Sequence, residues 1–250
     1  MSNPRAFFVF SLVVLWLAAQ VGFFLHRRRA LKDDERADWN IVETATLTLL
    51  GLIIGFSFSM AINRYDQRKS YEEAEANAIG TEYVRADLLP AADGAKVRTL
   101  LTNYLDQRIL FYTTRDERQL QHVNATTVQL QAKMWSAVQA PAVAQPSPVI
   151  ALAVAGMNDV LNSQGYTQAA WWNRIPRSAW VLMVAIAIFS NVLVGYGSHT
   201  ARLHSGSLFV LPLILSIALL LIADIDSPRT GFINVNPQNL VSLLQSLPRQ

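Results

Sequence analysis

Four long apolar runs stand out along the chain, about Phe7 to Leu25, Ile41 to Ile62, Ser178 to Gly197 and Leu208 to Ile225. A hydrocarbon core of about 30 Å takes roughly 20 apolar helical residues, so each run is long enough to cross a bilayer. Their apolar character is continuous, without the alternation of a barrel strand, and predicts helices. The first run stops at His26, Arg27, Arg28 and Arg29. Its small residues near Leu17-Ala18-Ala19-Gln20 could mark a signal-peptide cleavage point. Hydrophobicity continues past them to Leu25, however, and the basic flank then reads as that of a retained membrane helix. The second run is more polar, with Glu43, Thr44, Thr46, Thr48, Ser57 and Ser59.

From Asn63 to Pro176 the pattern changes to that of a helical region outside the bilayer. Arg68, Lys69, Glu72, Glu73 and Glu75 extend the second helix as far as Pro90, and the charges read as a solvated face. Glu82 and Asp87 belong to the same cluster, with Arg68, Lys69 and Arg85 as partners three and four residues away. A helix at about Ala95 to Tyr112 carries Val97, Leu101, Tyr104, Leu105 and Ile109 on one face. Another, about Glu117 to Val138, carries Leu120, Val123, Val128, Met134 and Trp135. Residues 140–148 form a proline-rich linker, and a last helix of this region spans about Pro148 to Asn162. Trp171, Trp172 and Trp180, with Arg174 and Arg177, read as an interfacial anchor for the third membrane helix. The expected organisation is all-α: residues 1–62 with two membrane helices, 63–176 helical and soluble, 177–226 with two more membrane helices, and 227–250 a C-terminal tail.

Composition supports a membrane protein: of 250 residues, 52% are hydrophobic and 16% charged, well below the charge of a soluble domain. The absence of cysteine excludes disulfides, thiolate metal sites and cysteine nucleophiles. A net charge of +3 is too small to point to nucleic acid. His26, His122, His199 and His204 are scattered and lack the spacing of a helical zinc site. No phosphate loop or nucleophile elbow is present, so neither an enzyme nor a cofactor is expected. Asp224 and Asp226 flank a proline turn, where capping or ion pairing is expected before metal ligation. Basic residues are nearly balanced between the two sides of the membrane and leave orientation open. With four crossings, both termini share a side with the soluble region.

The second helix carries the candidate function. Gly51, Gly55 and Ser59 form a small-residue row that admits close packing. Leu50, Ile54, Phe58 and Ile62 form a neighbouring stripe. Two readings stand beside each other, ordinary helix packing and a pore-lining face. In the second, Ile54, Phe58 and Ile62 make an apolar constriction that gates by dewetting, with Glu43, Thr44 and Thr48 at a wetted mouth.

The segment from Leu50-Gly51 to Asn63-Arg64-Tyr65-Asp66-Gln67-Arg68-Lys69 resembles the second membrane helix of bacterial bestrophins. Gly55-Phe56-Ser57-Phe58-Ser59-Met60, Glu75 to Thr81, Arg85 to Pro90 and Asp224-Ile225-Asp226-Ser227-Pro228 are similar to bacterial bestrophin-like domain proteins of unknown function. Asp226 to Gly231 departs from the bestrophin turn in having Arg229 for an aromatic residue and one extra position. The resemblance implies a pentameric channel for monovalent ions such as chloride, lined by the second helix, in the bacterial inner membrane. It also implies that the soluble region faces the cytoplasm. The alternative is a non-conducting membrane-anchored sensor or scaffold whose helical region binds a partner. No inverted repeat or broken helix suggests a transporter.

Overall fold

The computed structural model describes residues 4–29, 31–198 and 206–248, and these are all-helical. The chain divides into two compact units, residues 1–64 with 174–234, and 65–173 with 235–250. Four of its helices are long and apolar enough to span a membrane, as the sequence predicts.

The first unit contains α1 (Pro4–Arg28), the first part of α2 (Asp33–Arg85), α6 (Arg177–Gly197) and α7 (Ser207–Asp226). Helix α1 buries Ser11, Leu15, Ala18, Ala19 and Gly22, a face repeating every three to four residues. It packs on the face of α6 that buries Met183, Ala187, Ser190, Asn191 and Gly195. The two backbones approach closely in a reciprocal way. A methyl group at Gly22 would strike the Val192 carbonyl, and one at Gly195 would strike the Ala19 carbonyl. With no hydrophobic drive between helices in lipid, such close van der Waals contact is what holds them. Small residues on α1 and α6 therefore make this crossing. Among the described residues, Gly51 and Gly55 of α2 have nothing within 4 Å of the position a side chain would take.

The second unit consists of the end of α2, a 3-10 turn at Ala86–Leu88, α3 (Ala91–Thr113), α4 (Glu117–Ala144), α5 (Pro148–Trp172) and α8 (Gln238–Ser246). Its core includes Ile79, Val97, Leu101, Leu105, Met134, Val138, Met157, Val160 and Leu240.

Several expectations are corrected here. The acidic extension of α2 is not a solvated face: Glu72, Glu75 and Glu82 are buried, and the partners of Glu72 and Glu75 are distant in sequence. Glu75 pairs with Arg108, itself fully buried, and accepts hydrogen bonds from Tyr112 Oη (3.4 Å) and Thr167 Oγ1 (3.1 Å). Arg108 also lies over the Phe111 ring, 4.4 Å from its centroid. Glu72 accepts from the Asn239 and Leu240 backbone amides, both at 3.0 Å, and from the Asn239 side chain. It thereby caps the N-terminus of α8 with a full negative charge, where free amides and the helix dipole favour an anion. Residues 227–250 are consequently more than a tail, since α8 closes onto the second unit through Leu240.

The proline-rich linker shrinks to Gln145, Pro146 and Ser147. Alanines 140, 142 and 144 favour helix, and Pro141 is accommodated, buried, in the last turn of α4. Ser147 then caps α5 by accepting from the Ile150 amide at 3.2 Å. Helix α5 continues ten residues beyond Asn162, because Ser163, Thr167, Ala170 and Trp171 all face the core. Trp171, 4% exposed, packs edge-on against Phe111 and Tyr112 and is no interfacial anchor. On α4 the core face runs through Val123, Thr127, Leu130, Met134 and Val138, leaving Val128 exposed and Trp135 on the margin.

Three outcomes are expected from this packing. Gly195→Leu, which forces α1 and α6 apart, lowers stability by about 3 kcal/mol; Gly165→Ala, set in open space, does not. Thermal unfolding in detergent compares them. Arg108→Met strands a buried carboxylate and costs about 3–5 kcal/mol, of which adding Glu75→Gln restores a part, by the same measurement. Burial lifts the Glu82 carboxyl from the usual 4.5 to about 8; Arg85 opposes the shift and Asp159 adds to it. The folded protein therefore holds a proton that the unfolded chain releases, and Glu82 makes stability fall as pH rises from about 4.5 to about 8. Glu82→Gln flattens that part of the pH–stability profile.

Candidate functional site

Helix α2 is unbroken from Asp33 to Arg85. Between Gly55 and Gly80 it contains no glycine or proline to interrupt it. Its membrane part has two distinct faces. Leu50 (2% exposed), Ser57 and Ala61 are buried against the first unit, with Ile54 at the margin. Thr44, Thr48, Gly51, Gly55, Phe58 and Ile62 are exposed. These six follow one another at spacings of four, three, four, three and four residues. At 100° per residue they fall in a band about 80° wide.

The stripe read from the sequence is thereby redrawn. Residues four apart turn by about 40° beyond a full revolution, so a strict four-residue row winds around a straight helix. Leu50 and Ile62 end on opposite sides of the boundary between covered and uncovered surface: Phe58 is 37% and Ile62 36% exposed. Gly51 and Gly55 join Phe58 and Ile62 on one face, and Ser59 is exposed on its flank.

Glu43 lies on the covered face, in line with Leu50 and Ala61. A Cβ added at Gly197 would come 2.8 Å from Glu43 Oε2 and 3.3 Å from Trp39 Nε1, so both polar tips rest against the end of α6. Thr44 and Thr48 are outward. The Thr48 hydroxyl donates to the Thr44 carbonyl at 2.8 Å, as Thr46 does to Val42 at 2.7 Å, which satisfies each donor within the helix. From Thr44 to Ile62 the uncovered band carries no ionisable group.

Arg64 ends the membrane part of α2 and pairs with Asp226 at 3.4 Å, the two side chains being 14% and 9% exposed. Asp226 also accepts from the Ile175 amide at 3.0 and 3.2 Å, ahead of α6. Asp224 accepts from the Phe232 and Ile233 amides at 2.7 and 2.8 Å, with Gly231 pressed against it. Both aspartates thus have the capping and ion-pairing roles expected of them. Nothing in the sequence brings Asp226 to Arg64, because a separation of 162 residues leaves no local signal.

No group of three potential ligands among His, Cys, Asp and Glu gathers among the described residues. His26 packs edge-on against Tyr196, and His122 is exposed on α4. His199 and His204 lie outside the described residues.

The fold is that of solved bestrophins. One match is a tryptophan-to-alanine variant of a bacterial bestrophin homologue from Klebsiella pneumoniae, at a TM-score of 0.68 and 11% identity, covering 98% of this chain and 100% of that one. A leucine-to-threonine variant from the same organism gives 0.65 at 13% identity, covering 95% and 96%. A glycine-to-alanine variant described as a membrane protein gives 0.66 at 13% identity, covering 96% and 99%. No curated protein matches the sequence. The family model described as Bestrophin-like domain matches residues 6–240, nearly the whole chain, which therefore belongs to the Bestrophin-like domain family.

Proposed function

We propose that the chain assembles with copies of itself into an ion channel of the bestrophin type, with α2 as the pore-lining helix. The supporting observation is the uncovered band Thr44–Thr48–Gly51–Gly55–Phe58–Ile62, which, among the described residues, nothing packs against in the way that Leu50 and Ala61 are covered. In a ring of subunits this band faces the axis. The threonines and glycines make a wider end, where backbone and hydroxyl oxygens are within reach of water. Phe58 and Ile62 make the narrow apolar part, which passes ions only when wetted. Ile54, half-covered, borders it.

Five subunits is the number that the likeness to bestrophins suggests, in a bacterial inner membrane with the second unit in the cytoplasm. The permeant species are small monovalent ions, chloride among them. With Arg64 paired and Glu43 turned to its own subunit, the band has no fixed charge to sort cations from anions. Selectivity then rests on dehydration at the apolar part, and discrimination between potassium and chloride is weak.

Purified protein in a planar bilayer under an asymmetric KCl gradient tests the reading. Discrete single-channel steps are expected, with a reversal potential well short of either ion's equilibrium value. Phe58→Ala raises the unitary conductance by about twofold or more, because it widens the apolar part. Leu50→Ala, on the covered face, leaves conductance unchanged while lowering stability by about 2–5 kcal/mol. Silence from well-incorporated wild-type protein and from Phe58→Ala alike overturns the channel and favours the scaffold reading.

A further inference from the structure

The C-terminal end of α1 combines two features that the pore reading does not use. The first is a pair of arginines without acidic partners. Arg29, next to them, pairs with Glu35 at 3.6 Å. Arg27 and Arg28 are exposed and, among the described residues, form no ion pair. Each folds back over the aromatic ring one turn earlier, Arg27 at 5.8 Å from the Phe23 centroid and Arg28 at 4.6 Å from that of Phe24. A cation over an aromatic face is attracted to it and held in place. The two guanidiniums are therefore kept at the edge of the apolar surface, where an extended side chain would carry them away from it.

The second feature is what lies beneath them. Phe10, Val13, Leu17, Val21 and Phe24 are all exposed large apolar residues. On a helix they fall within about 60° of the direction of Arg28. They make one apolar stripe, and its upper end is the guanidinium of Arg28. From Phe10 to Arg28 the rise is about 27 Å, close to the thickness of a hydrocarbon core.

The end of α1 is also fixed in position. The Tyr196 hydroxyl of α6 donates to the Arg29 carbonyl at 3.0 Å, and the Tyr196 ring is gripped by His26 (5.6 Å) and Trp39 (4.6 Å). The arginines thus stand on a rigid platform and not on a fraying helix end.

We propose that this end of α1 is a binding site for an anionic phospholipid. Arg27 and Arg28 hold its phosphodiester, and an acyl chain runs along the Phe24–Val21–Leu17 stripe. Charge complementarity selects the occupant. A zwitterionic lipid brings a cation of its own next to the arginines, and a free anion uses none of the apolar stripe. Guanidinium is suited to phosphate, which it engages through paired N–H donors. The site is independent of whether the protein conducts.

Native mass spectrometry of the full chain released from detergent tests the site, with phosphatidylglycerol, phosphatidylcholine of the same acyl chains, and inorganic phosphate as probes. Wild-type protein retains phosphatidylglycerol in preference to phosphatidylcholine, and millimolar phosphate does not displace it. Arg27→Gln with Arg28→Gln loses the preference about tenfold; Arg115→Gln with Arg118→Gln, exposed in the second unit, keeps it. Equal retention of the two lipids by wild-type protein overturns the proposal, as does an undiminished preference in the Arg27/Arg28 variant. Displacement by phosphate overturns it in favour of a free-anion site. An altered subunit number with unaltered lipid retention overturns it in favour of an interface between copies. Should the double variant fail to fold, wild-type protein still decides: phosphatidylglycerol raises its unfolding temperature above that in phosphatidylcholine, and no difference sinks the idea.

Discussion

A carboxylate at position 75, cut off from water, has to meet a cation that is equally cut off, and much of the second unit follows from that requirement. Glu75 and Arg108 are both fully buried. Each alone costs several kcal/mol to desolvate, and together they persist only because their geometry is completed by further hydrogen bonds. Tyr112 and Thr167 complete it, bringing α3 and α5 to the same point on α2. Burial, followed by the neighbouring Glu75 charge, holds the hydroxyls of Tyr104 and Tyr112 protonated far above the ordinary tyrosine range, so they remain available as donors. Arg68 works in a similar way two turns earlier on α2. It donates to the carbonyls of Ala170 and Asn173, both at 3.2 Å, and so closes the C-terminal end of α5. Apolar burial holds the unit together, but these polar contacts set the register of its helices.

What the sequence disclosed divides along the same line. Apolar periodicity is a local signal, so the membrane helices, the all-α class and the Val97–Leu101–Leu105 face of α3 were legible from spacing alone. The fate of the charged residues was not. Glu72, Glu73 and Glu75 look alike in sequence, yet Glu73 is exposed while its neighbours are buried. Their partners lie 33 to 168 residues away, and nothing in a window of a few turns distinguishes a solvated carboxylate from one destined for a distant amide. The tryptophans show the same limit. Trp171 and Trp172 are adjacent, and one belongs to a core while the other faces out.

On the membrane part of α2 the difficulty was one of angle. Of the residues singled out there, Thr44, Thr48, Phe58 and Ile62 are exposed on one face with Gly51 and Gly55, where a packing seam was weighed. Glu43 and Leu50 lie on the covered face and Ile54 at its margin. A strict four-residue repeat winds around the helix, so Leu50 and Phe58 point in different directions. Alternating spacings of four and three, which track one side of a helix, would have put Thr44 and Thr48 with Gly51, Gly55, Phe58 and Ile62, and Glu43 with Leu50. The close crossing of α1 and α6 had a signal too, in Ala18 and Gly22 four residues apart, but it was no stronger than the one on α2.

The cap that Glu72 places on α8 spans 167 residues of chain. During synthesis, at 5–20 residues per second, roughly ten to thirty seconds separate the appearance of Glu72 from that of the amides it receives. In that interval α6 and α7 are made, while the docking surface for α8 waits open with a carboxylate in it. The second unit therefore closes only after α6 and α7 have been made. Until then the Glu72 carboxyl lacks the donors of Asn239 and Leu240 that complete it, and only water can take their place.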